Sequence, residues 1–187
     1  MDFTVRGATA CDADAIANVY YTSFRLPTFL PMLHTIEEYR WFISNVTLKQ
    51  CEVTVAEDDT GIVAFLARRG EEIRLLYTRP DRIGLGAGTQ LINAAKTSGV
   101  GALELWCFQA NGRARRFYEA QGFHAIRFTA RRTRSERQMS GIDGNPDKDR
   151  FQYRGKLGSR GSGRHKMPER VSVEQAVARV SKEFSPL

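Results

Sequence analysis

Apolar and polar positions along this chain follow two different periods, and the changeovers between them mark the elements. Residues 3 to 9 (FTVRGAT) alternate and are rich in β-formers, which predicts a short first strand. From Asp12 to Arg25 the apolar side chains Ala15, Ile16, Val19, Tyr20 and Phe24 recur at helical spacing. Asp12 or Asp14 can cap that helix and Pro27 ends it. Leu26 to Leu33 (LPTFLPML) is apolar, but its two prolines exclude regular structure. Thr35 with Glu38 three residues later forms a capping box, which predicts a second helix running to Val46.

The period then changes. Glu52 to Ala56 and Ile62 to Ala67 read as strands around the turn-rich Glu57-Asp58-Asp59-Thr60-Gly61, so a hairpin is expected. Ile73 to Thr78 adds a third strand and makes an antiparallel meander. After Pro80 and a glycine-rich turn, Gly88 to Thr97 is helical through Leu91, Ile92, Ala94 and Ala95. Ala102 to Phe108 is an apolar strand, Asn111 to Gln121 a helix closed by Gly122, and Phe123 to Ala130 another strand. Residues 131 to 148 read as polar loop and Arg150 to Arg154 as a last strand. Gly155 to Pro168 has the composition of a flexible segment, and Val171 to Phe184 regains helical spacing. The expected organisation is one domain over 1–155, then a basic Gly/Ser-rich linker and a C-terminal helix in 156–187.

Composition narrows the function classes. The 187 residues carry a net charge of +7. Residues 131 to 170 hold 12 Lys+Arg against 5 Asp+Glu, so the rest of the chain is neutral and its body is not built as a nucleic-acid binder. No run of 18 apolar residues exists, and no charged start leads into an apolar stretch, so the expectation is a cytoplasmic protein without a membrane partner. Cys11, Cys51 and Cys107 are odd in number and far apart, which excludes a disulfide framework or zinc knuckle as the organising device; no metal is expected.

Candidate chemistry lies in Pro80-Asp-Arg-Ile-Gly-Leu-Gly-Ala-Gly-Thr-Gln-Leu91, which follows a strand and opens a helix. Glycines there let main chain approach a ligand, and free N–H groups at a helix start favour a diphosphate. A P-loop would need Gly-Lys-Ser/Thr where this chain has Gly88-Thr89-Gln90. A dinucleotide fingerprint would need Gly-x-Gly-x-x-Gly after the first strand; here the spacing is Gly-x-Gly-x-Gly in mid-chain.

A second motif follows about 25 residues on: strand 103–108, then Asn111-Gly-Arg-Ala114-Arg-Arg-Phe117-Tyr118, then Gly122-Phe123 into a strand. Together the two motifs resemble the GNAT superfamily of N-acetyltransferases. The resemblance spans Phe3 to Phe128 in element order, and its specific residues lie within 76 to 123. It implies an α/β (α+β) fold of the acyl-CoA N-acyltransferase type, with a mixed, mostly antiparallel V-shaped sheet flanked by helices.

The same resemblance implies acetyl-CoA as co-substrate, lying between the strand that ends near Thr78 and the strand 102–108. Leu76, Tyr77 and Thr78 would meet the pantetheine arm. The N–H groups of Gly84, Leu85, Gly86, Ala87, Gly88 and Thr89 would hold the pyrophosphate, Asn111 would contact the pantetheine or the acyl region, Tyr118 would stand near the sulfur, and Ile83, Ala114 and Phe117 would complete the cofactor site. Tyr118 would be catalytic, donating a proton to the departing thiolate. Ile83 occupies the family's Arg/Gln position, and Arg82 stands one residue early. The acceptor, a small-molecule or peptide amine, would face Tyr20, Tyr21, Phe24, Phe29, Leu30 and Trp41. Glu71, Glu72, Glu37 and His34 are the candidate bases, with none singled out. A transferase using another acyl-CoA, a non-catalytic CoA-binding module and a nucleic-acid-associating tail are the competing readings, and a homodimer is left open.

Overall fold

The computed structural model of this chain describes residues 2–26, 34–98, 101–129 and 150–155. The expectations for Phe29, Leu30, the loop 131–148 and the extension 156–187 lie outside them.

Strand β1 (Thr4–Gly7) enters a 3-10 turn (Ala10–Asp12) and then helix α1 (Ala13–Phe24). The 3-10 turn corrects the expected capping. Asp12 does not cap α1. Its carboxylate accepts instead from the Thr9 N–H at 2.7 Å and from Arg6 Nη1 at 2.8 Å, fixing the tighter turn that precedes the helix. Helix α2 (Ile36–Phe42) opens with the expected box: Glu38 N–H donates to Thr35 Oγ1 at 3.3 Å, and Thr35 N–H to Glu38 Oε2 at 2.7 Å. The helix continues past Phe42 as a wider π turn over Ile43–Thr47 and ends in α3 (Leu48–Gln50).

Strands β2 (Glu52–Asp58), β3 (Gly61–Arg69) and β4 (Glu72–Thr78) form the meander. Helix α4 (Ala87–Thr97), β5 (Leu103–Phe108), α5 (Gly112–Ala120), β6 (Phe123–Thr129) and β7 (Arg150–Gly155) follow. The seven-stranded sheet has the order β1-β2-β3-β4-β5-β7-β6. All pairs are antiparallel except β4 with β5. Strand β7 therefore inserts between β5 and β6, a placement that sequence order does not reveal.

Two apolar clusters cover the two faces. One joins α4 (Leu91, Ile92, Ala95) to β3, β5 and β7 through Leu66, Leu103, Leu105 and Tyr153. The other joins α1 and α2 to β2 and β3 through Ile16, Tyr20, Tyr39, Phe42, Val55 and Phe65. β3 belongs to both, which is why seven of its nine residues are buried and its sequence shows no alternation.

The parallel pair positions the site. Only Glu72↔Glu104 and Ile73↔Leu105 are in register between β4 and β5, although β4 runs on to Thr78. Past Ile73 no strand pairs with that edge of β4 among the described residues, and the strand passes from buried to half-buried. The sheet is split there into a V.

Candidate functional site

The open edge of β4 presents main chain in a fixed sense. Arg79 N–H donates to the Val63 carbonyl at 2.7 Å, toward β3. Strand alternation then turns Tyr77 toward β3 and the main-chain groups of Thr78 and Leu76 toward the opening. The Thr78 carbonyl accepts from Ser23 Oγ at 2.7 Å, so α1 is tied to the lip of the V. Ser23 is buried and was not legible as a site residue, because a serine inside an amphipathic helix carries no motif.

Beyond β4 the chain makes a 3-10 turn (Pro80–Arg82) and reaches the glycines. Gly84 and Gly86 have φ of +88° and +101°, a region that side chains with a Cβ rarely adopt. A Cβ at either position would meet no protein atom within 4 Å, so the surface beside them is open. Gly86 is the N-cap of α4, without a side-chain cap, and the first intrahelical bond is from Gln90 N–H to the Gly86 carbonyl at 3.0 Å. The N–H groups of Ala87, Gly88 and Thr89 thus stand at a bare, positively polarised helix end.

Gly88 departs from the expected role of a flexible turn residue. Its φ is not positive, and a Cβ there would lie 3.3 Å from Phe117 Cζ. It is small so that α4 can lie against α5. Ala87 is buried, Ile83 half-buried and Leu85 44 % exposed. Thr89 Oγ1 accepts from Gln121 Nε2 at 3.3 Å, and Lys96 Nζ donates to the Gln121 carbonyl at 2.6 Å, so Gln121, just past the end of α5, holds α4 through its side chain and its main chain.

On the other wall, Asn111 caps α5: its Oδ1 accepts from Ala114 N–H at 3.0 Å. Ala114, Phe117 and Tyr118 are half-buried and pack on the α4-side cluster. The Tyr118 ring meets Phe117, Phe123 and Tyr153 at centroid distances of 5.3, 5.9 and 6.2 Å. Part of the residue reaches solvent, but protein atoms crowd the phenol. Burial, then the neighbouring Cys107 and Tyr77, hold its pKa well above the ordinary tyrosine value. Its hydroxyl has no hydrogen-bond partner among the described residues. The site therefore presents a phenol that stays protonated. Burial also pushes the Cys107 thiol up to about 11, so it is no ready nucleophile.

The helix carrying Tyr118 is fixed from behind. Tyr153, buried in the inserted β7, donates its hydroxyl to Glu119 Oε1 at 3.1 Å and accepts from Arg115 Nε at 3.3 Å. The Arg115 guanidinium also stacks on Phe151, 4.7 Å from the ring centroid.

The described residues expected to face an acceptor all pack in or on the α1–α2 cluster. Tyr20 is buried, its ring 4.4 Å from Tyr77 and 4.8 Å from Tyr39. Phe24, Tyr21 and Trp41 are half-buried at the margin of that aromatic cluster. Among the candidate bases, Glu72 is buried in register with Glu104, and Glu37 is exposed near Arg40. The Glu71 carbonyl accepts from Glu104 N–H at 2.8 Å. His34 Nδ1 lies 3.3 Å from Glu38 Oε2 without hydrogen-bond geometry, and neither of its buried ring nitrogens has a hydrogen-bond partner among the described residues.

No group of three metal-ligating side chains occurs among the described residues, and no helix among them is long and apolar enough to cross a membrane.

Comparison with known proteins places this geometry. The model of an acetyltransferase (GNAT) domain matches residues 49–125, the span from β2 through α5. No curated protein matches the chain in sequence. Several solved structures share the fold. The apo form of YjaB from Escherichia coli aligns with a TM-score of 0.63 at 18% identity, over 85% of this chain and 100% of its own. The yncA protein of Salmonella typhimurium, solved with its cofactor acetyl-CoA, aligns with a TM-score of 0.63 at 14% identity, over 88% of this chain and 99% of its own. The paia N-acetyltransferase of Thermoplasma acidophilum, in complex with coenzyme A, aligns with a TM-score of 0.62 at 18% identity, over 83% and 99%. Residues 49–125 therefore match the model of an acetyltransferase (GNAT) domain, and the described residues share the fold of these solved structures.

Proposed function

We propose that this protein transfers an acetyl group from acetyl-CoA to a primary amine of a small molecule or peptide. The observation that carries the reading is the conjunction at the split sheet. A bare helix end at Gly86–Thr89 lies beyond the open edge of β4, and the phenol of Tyr118 stands on α5, which packs against that helix through Gly88 and Phe117. Two of the similar structures hold acetyl-CoA or coenzyme A, which agrees with a diphosphate at such a helix end.

Bound acetyl-CoA supplies an activated thioester. The N–H groups of Ala87, Gly88 and Thr89 receive the diphosphate, and the left-handed turns at Gly84 and Gly86 keep side chains out of its way. Leu76 and Thr78 align the pantetheine arm along the β4 edge as a strand would be aligned. Transfer forms the N–C bond and breaks the C–S bond. Tyr118 gives its phenolic proton, or a hydrogen bond, to the sulfur as charge develops there, and the proton shed by the amine nitrogen ends on the released thiol, directly or by restoring the phenol. The elevated Tyr118 pKa keeps the hydroxyl protonated, as a hydrogen-bond donor to the sulfur must be, and argues against a base role at neutral pH.

A thermal-shift titration tests the reading. Acetyl-CoA should raise the melting temperature, because only the folded site binds it. Gly86→Glu, which puts negative charge at the helix end, should abolish the shift. An amine panel scored by released thiol then tests turnover. Binding without turnover on any amine would overturn the transferase in favour of a binding module.

A further inference from the structure

We infer that Asp58 and Thr60, on the β2–β3 turn, position the diphosphate-holding turn from behind through Arg79, Asp81 and Arg82. This rests on the acyl-CoA reading of the glycine turn and adds residues to it. The side chains close a ring. Arg82 Nε donates to Asp58 Oδ2 at 2.8 Å, and Arg82 Nη1 to Asp81 Oδ2 at 2.8 Å. Arg79 Nε donates to Asp81 Oδ1 at 2.7 Å, and Arg79 Nη2 to Thr60 Oγ1 at 2.8 Å. Thr60 Oγ1 in turn donates to Asp58 Oδ1 at 2.5 Å. Two arginines and two aspartates cancel in charge, and the two side chains in the most buried ion pair, Arg82 and Asp58, are only 18% and 7% exposed.

The ring encloses the 3-10 turn Pro80–Arg82, whose last residue is two positions before Gly84. Gly84 and Gly86 supply the conformations the turn needs but also leave it more backbone freedom than any other residue would. No side chain caps α4. The orientation of the amides at 87–89 must therefore be set at the ends of the segment. α4 packing fixes one end, and the ring fixes the other. With both guanidiniums bound to aspartates, the arginines act on the loop's position. Ile83, which stands where the family pattern has Arg or Gln, is not part of the ring; the side-chain anchor is Arg82, one residue earlier.

The experiment measures two ligands on folded protein. Coenzyme A is titrated by calorimetry, and S-acetylpantetheine, which has the thioester arm but no diphosphate, by NMR shift perturbation. Asp58→Asn should weaken coenzyme A about tenfold and leave S-acetylpantetheine within about twofold. Arg82→Gln should do the same from the other side of the ion pair, and it serves if Asp58→Asn does not fold. The double variant should lose about as much as either single one, because the two residues act as a unit. Unchanged coenzyme A affinity in folded variants, or equal weakening of both ligands, overturns the positioning role while acyl-CoA binding stands. A wild-type protein that binds no coenzyme A removes both readings.

Discussion

Gly88 lies so close to Phe117 that a Cβ on the glycine would sit 3.3 Å from the ring's Cζ. The contact joins the first turn of α4, which offers main-chain donors, to the residue immediately before Tyr118 on α5. Two glycines two positions apart are therefore needed for different reasons, and substitution should separate them. Gly88→Val should drive a branched side chain into Phe117 and destabilise the fold by about 1–3 kcal/mol. Gly86→Ala meets no atom, yet it places a Cβ at φ +101° and should cost about 1–2 kcal/mol through backbone strain. Urea unfolding reads both. Only Gly88→Val should also disturb the Tyr118 environment, seen as a changed near-ultraviolet dichroism.

Tyr118→Phe keeps the ring contacts with Phe117, Phe123 and Tyr153 and removes only the hydroxyl. Turnover should fall about 10²-fold with acetyl-CoA affinity unchanged, since the phenol is assigned to proton donation and not to holding the ligand. Burial raises the Tyr118 pKa, so the proton donor persists above the usual tyrosine range. The wild-type rate should accordingly show no alkaline loss centred at pH 10. A Phe variant as fast as wild type would remove the acid role.

The elements were legible where a local signal existed. The Thr35/Glu38 box, the hairpin at 57–61 and the Asn111 start of α5 all act within four residues, and the structure has each of them. The glycine turn before α4 and the Asn111 motif were legible as local patterns for the same reason. The ring around Asp58 was not, because Asp58 and Arg82 are 24 positions apart and Asp58-Asp59-Thr60-Gly61 is fully explained as a turn. Nor was the insertion of β7. Gly155 is paired with both Leu103 and Phe123, and a Cβ there would come within 2.9 Å of the Phe123 ring, but a lone glycine at a strand end has no distinguishing pattern. Tyr20 shows the converse limit: its helical spacing fits a pocket wall and a core equally, and it is buried among aromatic rings.

Ser23→Ala should affect the lip of the V specifically. The buried hydroxyl holds the Thr78 carbonyl at 2.7 Å, and removing it leaves that acceptor without its α1 partner. The expected cost is about 1–2 kcal/mol in chemical unfolding. Because Thr78 ends the edge assigned to the pantetheine arm, S-acetylpantetheine should bind more weakly than to wild type. Loss of stability with pantetheine binding intact would confine Ser23 to a structural role.

Acid should weaken the fold through two carboxylates in particular. Asp58 is held well below the ordinary value of 3.8, first by its hydrogen bond from Arg82 and then by Thr60, against an opposing effect of burial. Asp12 is held below it by Arg6 first, with burial opposing and Thr9 assisting. A carboxyl with a depressed folded pKa stabilises the fold fully above its unfolded pKa. That contribution is lost as pH falls toward the folded value, because the unfolded chain takes up the proton first. Stability by urea unfolding should thus be flat from pH 7 to about 5 and decline progressively below about 4. Asp58→Asn and Asp12→Asn should each lower stability at pH 7 and flatten the decline. High salt should do little to the slope if the direct hydrogen bonds dominate, and would erase it if long-range attraction did. A variant that loses stability at pH 7 but keeps the full acid slope would show that its carboxylate is not the group being titrated.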